Sequence, residues 1–409
     1  MSDCNCNVGI MAKLICTLFG AIIIYLILLF IWIVMNDSIK NNKEIIDQFQ
    51  IDDCQTSEQM KKKWTRNKDC KYLLSSTIAA VLKDYGIDET KDDKFHMYMP
   101  CNYNDIQGEI KNIPNKNKCD SEFYFIVSNA DELTAKDKLW KNLELLYGTE
   151  ATKLMPQTYV LYDSSDVKKF INNYDSNKIY ILKKNIQRQE GLKISKNKSE
   201  ILSAYKKDKY VLVQELLQDP FIIDGRKTNM RFYLLLVCNN GQITAYVHDE
   251  GFMYYTAEKF HKNSIDHKVN ITTGYIDRSV YDKNPLTLGD FRKYIDTNHN
   301  NGTINSHIIF NRILDVMNKL TNAIGSSVCQ DTSLFKCNTF QIFGVDIALN
   351  EQLIPQIMEV NKGPDLGGKD ERDLTIKKKV VADMFNKVGI IQNIENNKFH
   401  KVYPEIEYY

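Results

Sequence analysis

Asp346, Glu359 and Asn361 carry oxygen atoms at a spacing that suits a divalent cation. They lie in FGVDIALNEQLIPQIMEVNKGPD, residues 343–365. In FGVDIAL, Val345, Ile347 and Leu349 alternate with Asp346, so an extended chain puts the carboxylate on the face opposite the apolar row. In PQIMEVN, Glu359 and Asn361 are two apart and share one face, with Met358 and Val360 on the other. The intervening NEQLI is short enough for a hairpin, and a connection of about six residues sets Asp346 across from Glu359. Two carboxylates so opposed repel each other unless a cation lies between them. Two carboxylates and an amide oxygen are hard ligands of the kind Mg2+ takes, with waters or phosphate oxygens completing its shell. Spacing alone leaves this level with a second reading, two solvated acids on an amphipathic sheet.

Two further groups are cationic. Lys183 ends the apolar run KIYILK and enters the polar stretch NIQRQEGLKIS, which holds Arg188 and Gly191. Lysine supplies a point charge, arginine a fork, and glycine a close approach of backbone, a combination that fits phosphate. An ordinary basic surface loop fits the same segment, and neither a Walker loop nor a GxGxxG turn is present. In DGRKTNMR, residues 224–231, Lys227, Asn229 and Arg231 alternate and share one strand face running into FYLLLV. Three polar groups on that face require solvent or an anion.

The elements that must position these groups can be read from periodicity and punctuation. LLSSTIAAVLKDYG predicts a helix closed by Gly86, Phe123 to Val127 a buried strand, and residues 135–147 a helix closed by Gly148. These make a small α/β unit ending near LMPQTYVL, residues 154–161. A helix over residues 166–174 and strands at 178–183, 210–217 and 230–237 follow. Then come a strand at 242–248, a helix at 310–324 and the hairpin at 340–361. The expected class is α/β or α+β, with antiparallel sheets in the later units.

A chain of 409 residues implies two or three domains. The apolar fraction of 43% and charged fraction of 26% exclude long disorder. With 53 basic against 52 acidic residues, no charge argument supports a nucleic-acid partner, and none is expected. Lys61-Lys62-Lys63 and Lys377-Lys378-Lys379 read as solvated helix faces. Ten cysteines show no CxxC pair or Cys/His ladder, and Cys4-x-Cys6 lacks partner ligands. A chain of this size does not need a disulfide framework, so the main body is expected to face the cytosol. Leu14 to Met35 runs 22 residues without a charge, enough for a membrane-spanning anchor, and Asn36-Asp37-Ser38 after it is no cleavage site. Lys13 precedes the span, while Lys40, Lys43 and the Lys61–Lys63 run follow it. The positive-inside rule then places the C-terminal part in the cytoplasm. The expected organisation is a tail at 1–13, an anchor at 14–35 and a stalk at 36–70. An α/β domain at 71–165, a central domain at 166–250 and a C-terminal domain at 251–409 complete it.

YILK, a loop with an E-G-hydrophobic turn, VQELLQDPFIIDGRKTNMRFYLLL and FGVDIAL…IMEVNKGPDL occur in one order. Together they resemble the tubulin–tyrosine ligase-like family of ATP-grasp enzymes, which typically read W-I-x-K-P, a Gly-rich loop, G-R-K-F-D-x-R and F-G-x-D…E-V-N-x-x-P. LMPQTYVL resembles the segment that precedes the ATP-grasp part, and coverage runs from about residue 135 to 366. The resemblance implies an ATP-grasp fold behind a small α/β domain. It also implies ATP and Mg2+ as cofactors and a ligase that joins an amino acid to a protein acceptor, tubulin in the family, through an acyl phosphate. Lys183 would contact nucleotide phosphates and Arg188 would sit in the phosphate loop. Gln214, Glu215, Leu216 and Leu217 would line the adenine pocket, with Asn229 beside the nucleotide. Lys227 and Arg231 would hold phosphate or substrate carboxylate and, with Glu359, serve catalysis, while Asp346, Glu359 and Asn361 would hold Mg2+.

The chain departs from the pattern on the acceptor side. Asn229 stands where the family has aspartate. In GFMYYTAEKF, residues 251–260, Tyr254 stands where it has arginine. NITTGYID replaces H-L-T-N, leaving Thr272 and Thr273, and the loop around Arg188 has fewer glycines. These departures support an alternative, a membrane-tethered ATP-binding scaffold of the same fold without ligase activity. An ATP-grasp enzyme acting on a small carboxylate is a third reading.

Overall fold

The computed structural model describes residues 62–92, 94–113, 122–186, 191–299 and 304–409. The expected tail, the span at 14–35 and most of the stalk lie outside the described residues, as does Arg188. Among the described residues no helix is long and apolar enough to cross a membrane.

Among the described residues the first strands are short: β1 (Lys63–Thr65), β2 (Asp88–Glu89), β3 (Met97–Tyr98) and β4 (Phe123–Tyr124). A four-stranded antiparallel sheet follows, built from β5 (Thr158–Val160), β6 (Tyr180–Lys183), β7 (Leu192–Ser195) and β8 (Leu212–Glu215) in the order β5-β8-β6-β7. One face of this sheet presents Tyr159 and Tyr180 to Phe170, Ile201 and Ala204 of the helices Ser164–Asn173 and Lys198–Asp208. The other carries Ile179, Ile181 and Ile194. Asp163 caps the first of these helices by accepting from the Ser165 and Asp166 amides.

The larger sheet is centred on two long strands, β10 (Arg226–Asn239) and β14 (Asn338–Leu349). β9 (Ile222–Ile223), β11 (Gln242–His248), β12 (Phe252–Thr256) and β13 (Thr272–Thr273) extend it beyond β10. β15 (Pro355–Asn361) flanks β14, and β16 (Phe399–Tyr403) flanks β11. β14 is buried almost throughout because both of its faces are covered. The helix Ser306–Ile324 buries Ile309, Phe310, Ile313, Leu314, Met317, Leu320 and Ile324, an i, i+3/i+4 stripe closed over the sheet. Each such side chain contributes on the order of 1.5–3 kcal/mol by leaving water. The expected hairpin is present, with residues 350–354 as its turn.

Strand pairing in the sheets links segments that are distant along the chain. β15 pairs only with Gly344–Leu349, so the start of β14 is left open on that edge. β4 occupies it in parallel and brings β3, β1 and β2 into the large sheet. β5 pairs with β8 in the smaller sheet. The strand expected at Phe123 to Val127 is only two residues long, because Val127 N–H donates to the Gln341 side chain at 3.1 Å rather than to a strand.

Two expectations about side chains are corrected. Cys70–Cys101 and Cys238–Cys329 are disulfides, and Cys337 is also disulfide-bonded, so all five described cysteines are oxidised. Separations of 31 and 91 residues carry no local signal, so only the tertiary fold brings these partners together. Lys377 is not on a solvated face. It is buried, paired with Asp373 at 2.8 Å and bonded to the Gly367 carbonyl at 2.6 Å.

Candidate active site

A cavity of about 580 Å³ is lined by residues of both sheets and of the loop after β15. Lys183, Gln214, Glu215, Leu216 and Leu217 line it from the smaller sheet and the chain just beyond it. Lys227, Asn229 and Arg231 line it from β10, and Asp346, Glu359 and Asn361 from the hairpin. Apart from Arg188, which lies outside the described residues, every site residue expected from sequence faces this one space.

The hairpin register pairs Asp346 with Glu359, and β10 pairs Arg231 with Asp346 from the other side. Arg231 Nε and Nη2 donate to the two Asp346 oxygens at 2.5 and 2.9 Å. Asn361 Nδ2 donates to Glu359 Oε1 at 3.2 Å, and Lys136 Nζ lies 3.6 Å from Glu359 Oε2. Burial, the largest influence, together with Glu359 opposite, holds the Asp346 carboxyl above its ordinary range although Arg231 pulls it down. Burial presses Glu359 the same way, but Lys136, Lys183, the Asn361 amide and Arg231 outweigh it and hold that carboxyl low. The pair is therefore asymmetric, with Asp346 held above and Glu359 below the ordinary carboxylate range.

This donor set fits Mg2+. Two carboxylates face each other with an amide beside them, and Asp346 keeps lone pairs beyond the two that meet Arg231. Among the described residues no cluster of three or more His, Cys, Asp or Glu side chains forms a metal cage. A cation here would need oxygens from water or from a phosphate-bearing ligand.

Such a ligand has cations waiting for it. Lys183 Nζ donates to the Met358 carbonyl at 3.2 Å and Lys227 Nζ to the Leu217 carbonyl at 3.3 Å. Among the described residues neither makes an ion pair. Burial is the main cause that pushes both ammonium groups down to about 8, and Lys183 adds to the effect on Lys227. Two buried ammonium groups with no carboxylate in ion-pair contact among the described residues suit a polyanion. Beside them Ile181, Leu192, Leu216, Leu217 and Met358 give the cavity an apolar wall suited to a flat ring. The Gln214 amide is bonded to Thr158 Oγ1 at 2.8 Å, and Glu215 is paired with Lys178 at 2.8 and 2.9 Å. These two side chains are thus engaged within the smaller sheet.

On the far side of β10, Asn229 pairs in register with Tyr254 of β12, and the Arg231 guanidinium lies 5.2 Å from the centre of the Tyr254 ring. Thr272 and Thr273, in β13, line the cavity near it. Gly251 permits this approach, since a Cβ there would lie 2.1 Å from the Arg231 carbonyl oxygen. Sequence reasoning missed Lys136, Asp365, Lys369 and Tyr275, which also line the space. Lys136 opens an ordinary amphipathic helix, and the others sit in loops whose local sequence shows no pattern.

A family model described as "Tubulin-tyrosine ligase family" matches residues 122–398, more than half of the chain. The chain belongs to that family. It is 24% identical over 298 residues to tubulin polyglutamylase TTLL5 of Mus musculus, covering 68% of this chain and 22% of that protein. It is 26% identical over 289 residues to tubulin monoglutamylase TTLL4 of Mus musculus, covering 65% of this chain and 23% of that protein. A probable tubulin polyglutamylase, ttll-9 of Caenorhabditis elegans, is 24% identical over 298 residues, with 66% of this chain and 68% of that protein covered. The chain thus spans less than a quarter of the length of the first two relatives.

Proposed function

We propose that this protein is an ATP-dependent carboxylate–amine ligase that adds an amino acid to a polypeptide acceptor. The observation that carries the reading is one cavity holding two buried lysines, without an ion pair among the described residues, beside two opposed carboxylates and an amide. The names of the relatives support glutamate as the amino acid.

A carboxylate oxygen attacks the γ-phosphorus of ATP, ADP leaves, and an acyl phosphate forms. The amine nitrogen then attacks the carbonyl carbon. Inorganic phosphate departs with the C–O electron pair, the nitrogen loses a proton, and an amide remains. Lys183 and Lys227 would hold the phosphates, and their charge would oppose the negative charge that develops on the transferred group. Arg231 fixes Asp346, and Lys136 with Asn361 fixes Glu359, so the oxygen donors are positioned before the nucleotide arrives. Asp346, Glu359 and Asn361 would hold Mg2+, which supplies charge neutralisation across the phosphates. Residues 14–35 are proposed to tether this body to a membrane.

The test is incubation of the full chain with Mg-ATP, radiolabelled glutamate and candidate polypeptides. Label transfer with matching ADP release is expected. ADP release that no amino acid or acceptor stimulates would count against the ligase. The neutral Asn229–Tyr254 pair favours a second reading, an ATP-binding scaffold. Turnover by the wild type excludes it, and turnover only after combined Asn229→Asp and Tyr254→Arg substitution supports it.

A further inference from the structure

We propose that Lys369 receives the carboxylate of the incoming amino acid and that Asn229 Oδ1 receives its amine. The inference rests on the ligase reading and names the groups that orient its second substrate. Lys369 lies in the loop after β15, with Nζ donating to the Gly274 carbonyl at 2.7 Å and sitting 4.1 Å from the centre of the Tyr275 ring. Among the described residues no carboxylate forms an ion pair with it. One of its three N–H groups is used, and the others remain for a ligand. A Cβ on Gly274 would lie 2.8 Å from Lys369 Nζ and 3.0 Å from the Tyr254 ring, so the ammonium and that ring converge on one spot at the cavity wall.

Asn229 supplies the other half. Its Oδ1 is buried and accepts no hydrogen bond among the described residues. It stands two residues from Lys227 on the same strand face, roughly 7 Å along β10. The charges that bear on Lys369 are Lys377, Asp365, Asp373 and Arg278, whereas Lys183 and Asp219 bear on Lys227. An amino acid lying between them turns its amine toward the phosphate pole and its carboxylate away. That is the orientation the amine needs to attack an acyl phosphate.

The test is calorimetric titration of glutamate into the full chain saturated with Mg2+ and a non-hydrolysable ATP analogue. K369A is expected to weaken glutamate at least tenfold while leaving the affinity for the analogue within twofold, and K369R to restore most of the loss. Wild-type glutamate affinity in K369A overturns the proposal, as does a wild type that binds the analogue but no amino acid. A wild type that fails to bind the analogue strikes the ligase reading instead. The same titration without nucleotide then decides Lys369.

A separate observation concerns the compartment. All five described cysteines are disulfide-bonded, and the Cys238–Cys329 bond ties the end of β10 to the segment after the helix Ser306–Ile324. Glutathione and thioredoxin keep cytosolic thiols reduced, so a body without a free thiol among its described residues belongs to an oxidising compartment. We infer that residues 62–409 mature and act on the exoplasmic side of a membrane, opposite to the side the lysines flanking residues 14–35 suggest. The acceptor is then an exported polypeptide. The test is acid quenching of cells expressing the full chain, alkylation with N-ethylmaleimide before reduction, and mass spectrometry. No alkylation at Cys70, Cys101, Cys238, Cys329 or Cys337 is expected, and alkylated Cys238 and Cys329 in rapidly quenched cells would overturn the inference.

Discussion

Arg231 and Asp346 face each other on neighbouring antiparallel strands, and the guanidinium closes on both carboxylate oxygens inside the fold. Asp346 thus does two things at once, neutralising a buried arginine and offering oxygen to a cation.

Removing Asp346 therefore costs stability as well as metal binding. D346A leaves the guanidinium buried and unpaired, and a loss of about 3–5 kcal/mol is expected from denaturant unfolding. A loss below about 1 kcal/mol would mean that water reaches Arg231 freely. R231M has the opposite defect, an Asp346 carboxylate that faces Glu359 without its guanidinium partner. The folded state already holds Asp346 above its ordinary range, so it binds more protons than the unfolded state there. Stability of R231M should rise as pH falls toward the ordinary carboxylate range.

Lys183 and Lys227 make a prediction about protons. Both titrate near 8 in the fold against 10.5 ordinarily, so the unfolded state binds more protons between those values. The ligand-free protein should therefore gain stability as pH rises through that window. A triphosphate restores the charge. Calorimetry at pH near 8 in buffers of different ionisation enthalpy should show uptake of about one proton with ATP, and little near pH 6.5.

Two glycines beside Arg231 should behave differently. At Gly344 a Cβ would meet Arg231 Cδ and Pro364 Cβ at 3.1 Å, contacts that side chains can relieve. G344A is expected to fold with a loss of about 1–3 kcal/mol and weaker nucleotide binding, as Arg231 is displaced. At Gly251 the obstacle is the Arg231 carbonyl at 2.1 Å, which cannot move without breaking the β10–β12 pairing. G251A should lose more than G344A in thermal unfolding, and an equal loss would contradict this packing.

The Cys238–Cys329 bond closes a long loop. Replacing both with serine should lower stability by about 2–4 kcal/mol in equilibrium unfolding, and the double variant should respond less than wild type to a reductant.

Much of the site could be read locally because strand periodicity has a fixed geometry. Alternation in FGVDIAL and PQIMEVN and a short turn between them were enough to place Asp346 across from Glu359, and the structure has that register. Alternation in GRKTNMR likewise put Lys227, Asn229 and Arg231 on one face. Local sequence did not say that this face would be covered. That depends on the smaller sheet, which precedes β10, and on the loop carrying Lys369, which lies far along the chain.

The sequence by itself determined the hairpin, the strand faces and the family, because each is encoded in short-range pattern or contiguous motif. Only the tertiary structure decided that Arg231 locks Asp346, that Lys136 supports Glu359, that Tyr254 lies under Arg231, and that the cysteines pair. Each of these is a contact between segments with no shared periodicity, set by which strand edges were left open and which faces had to be buried.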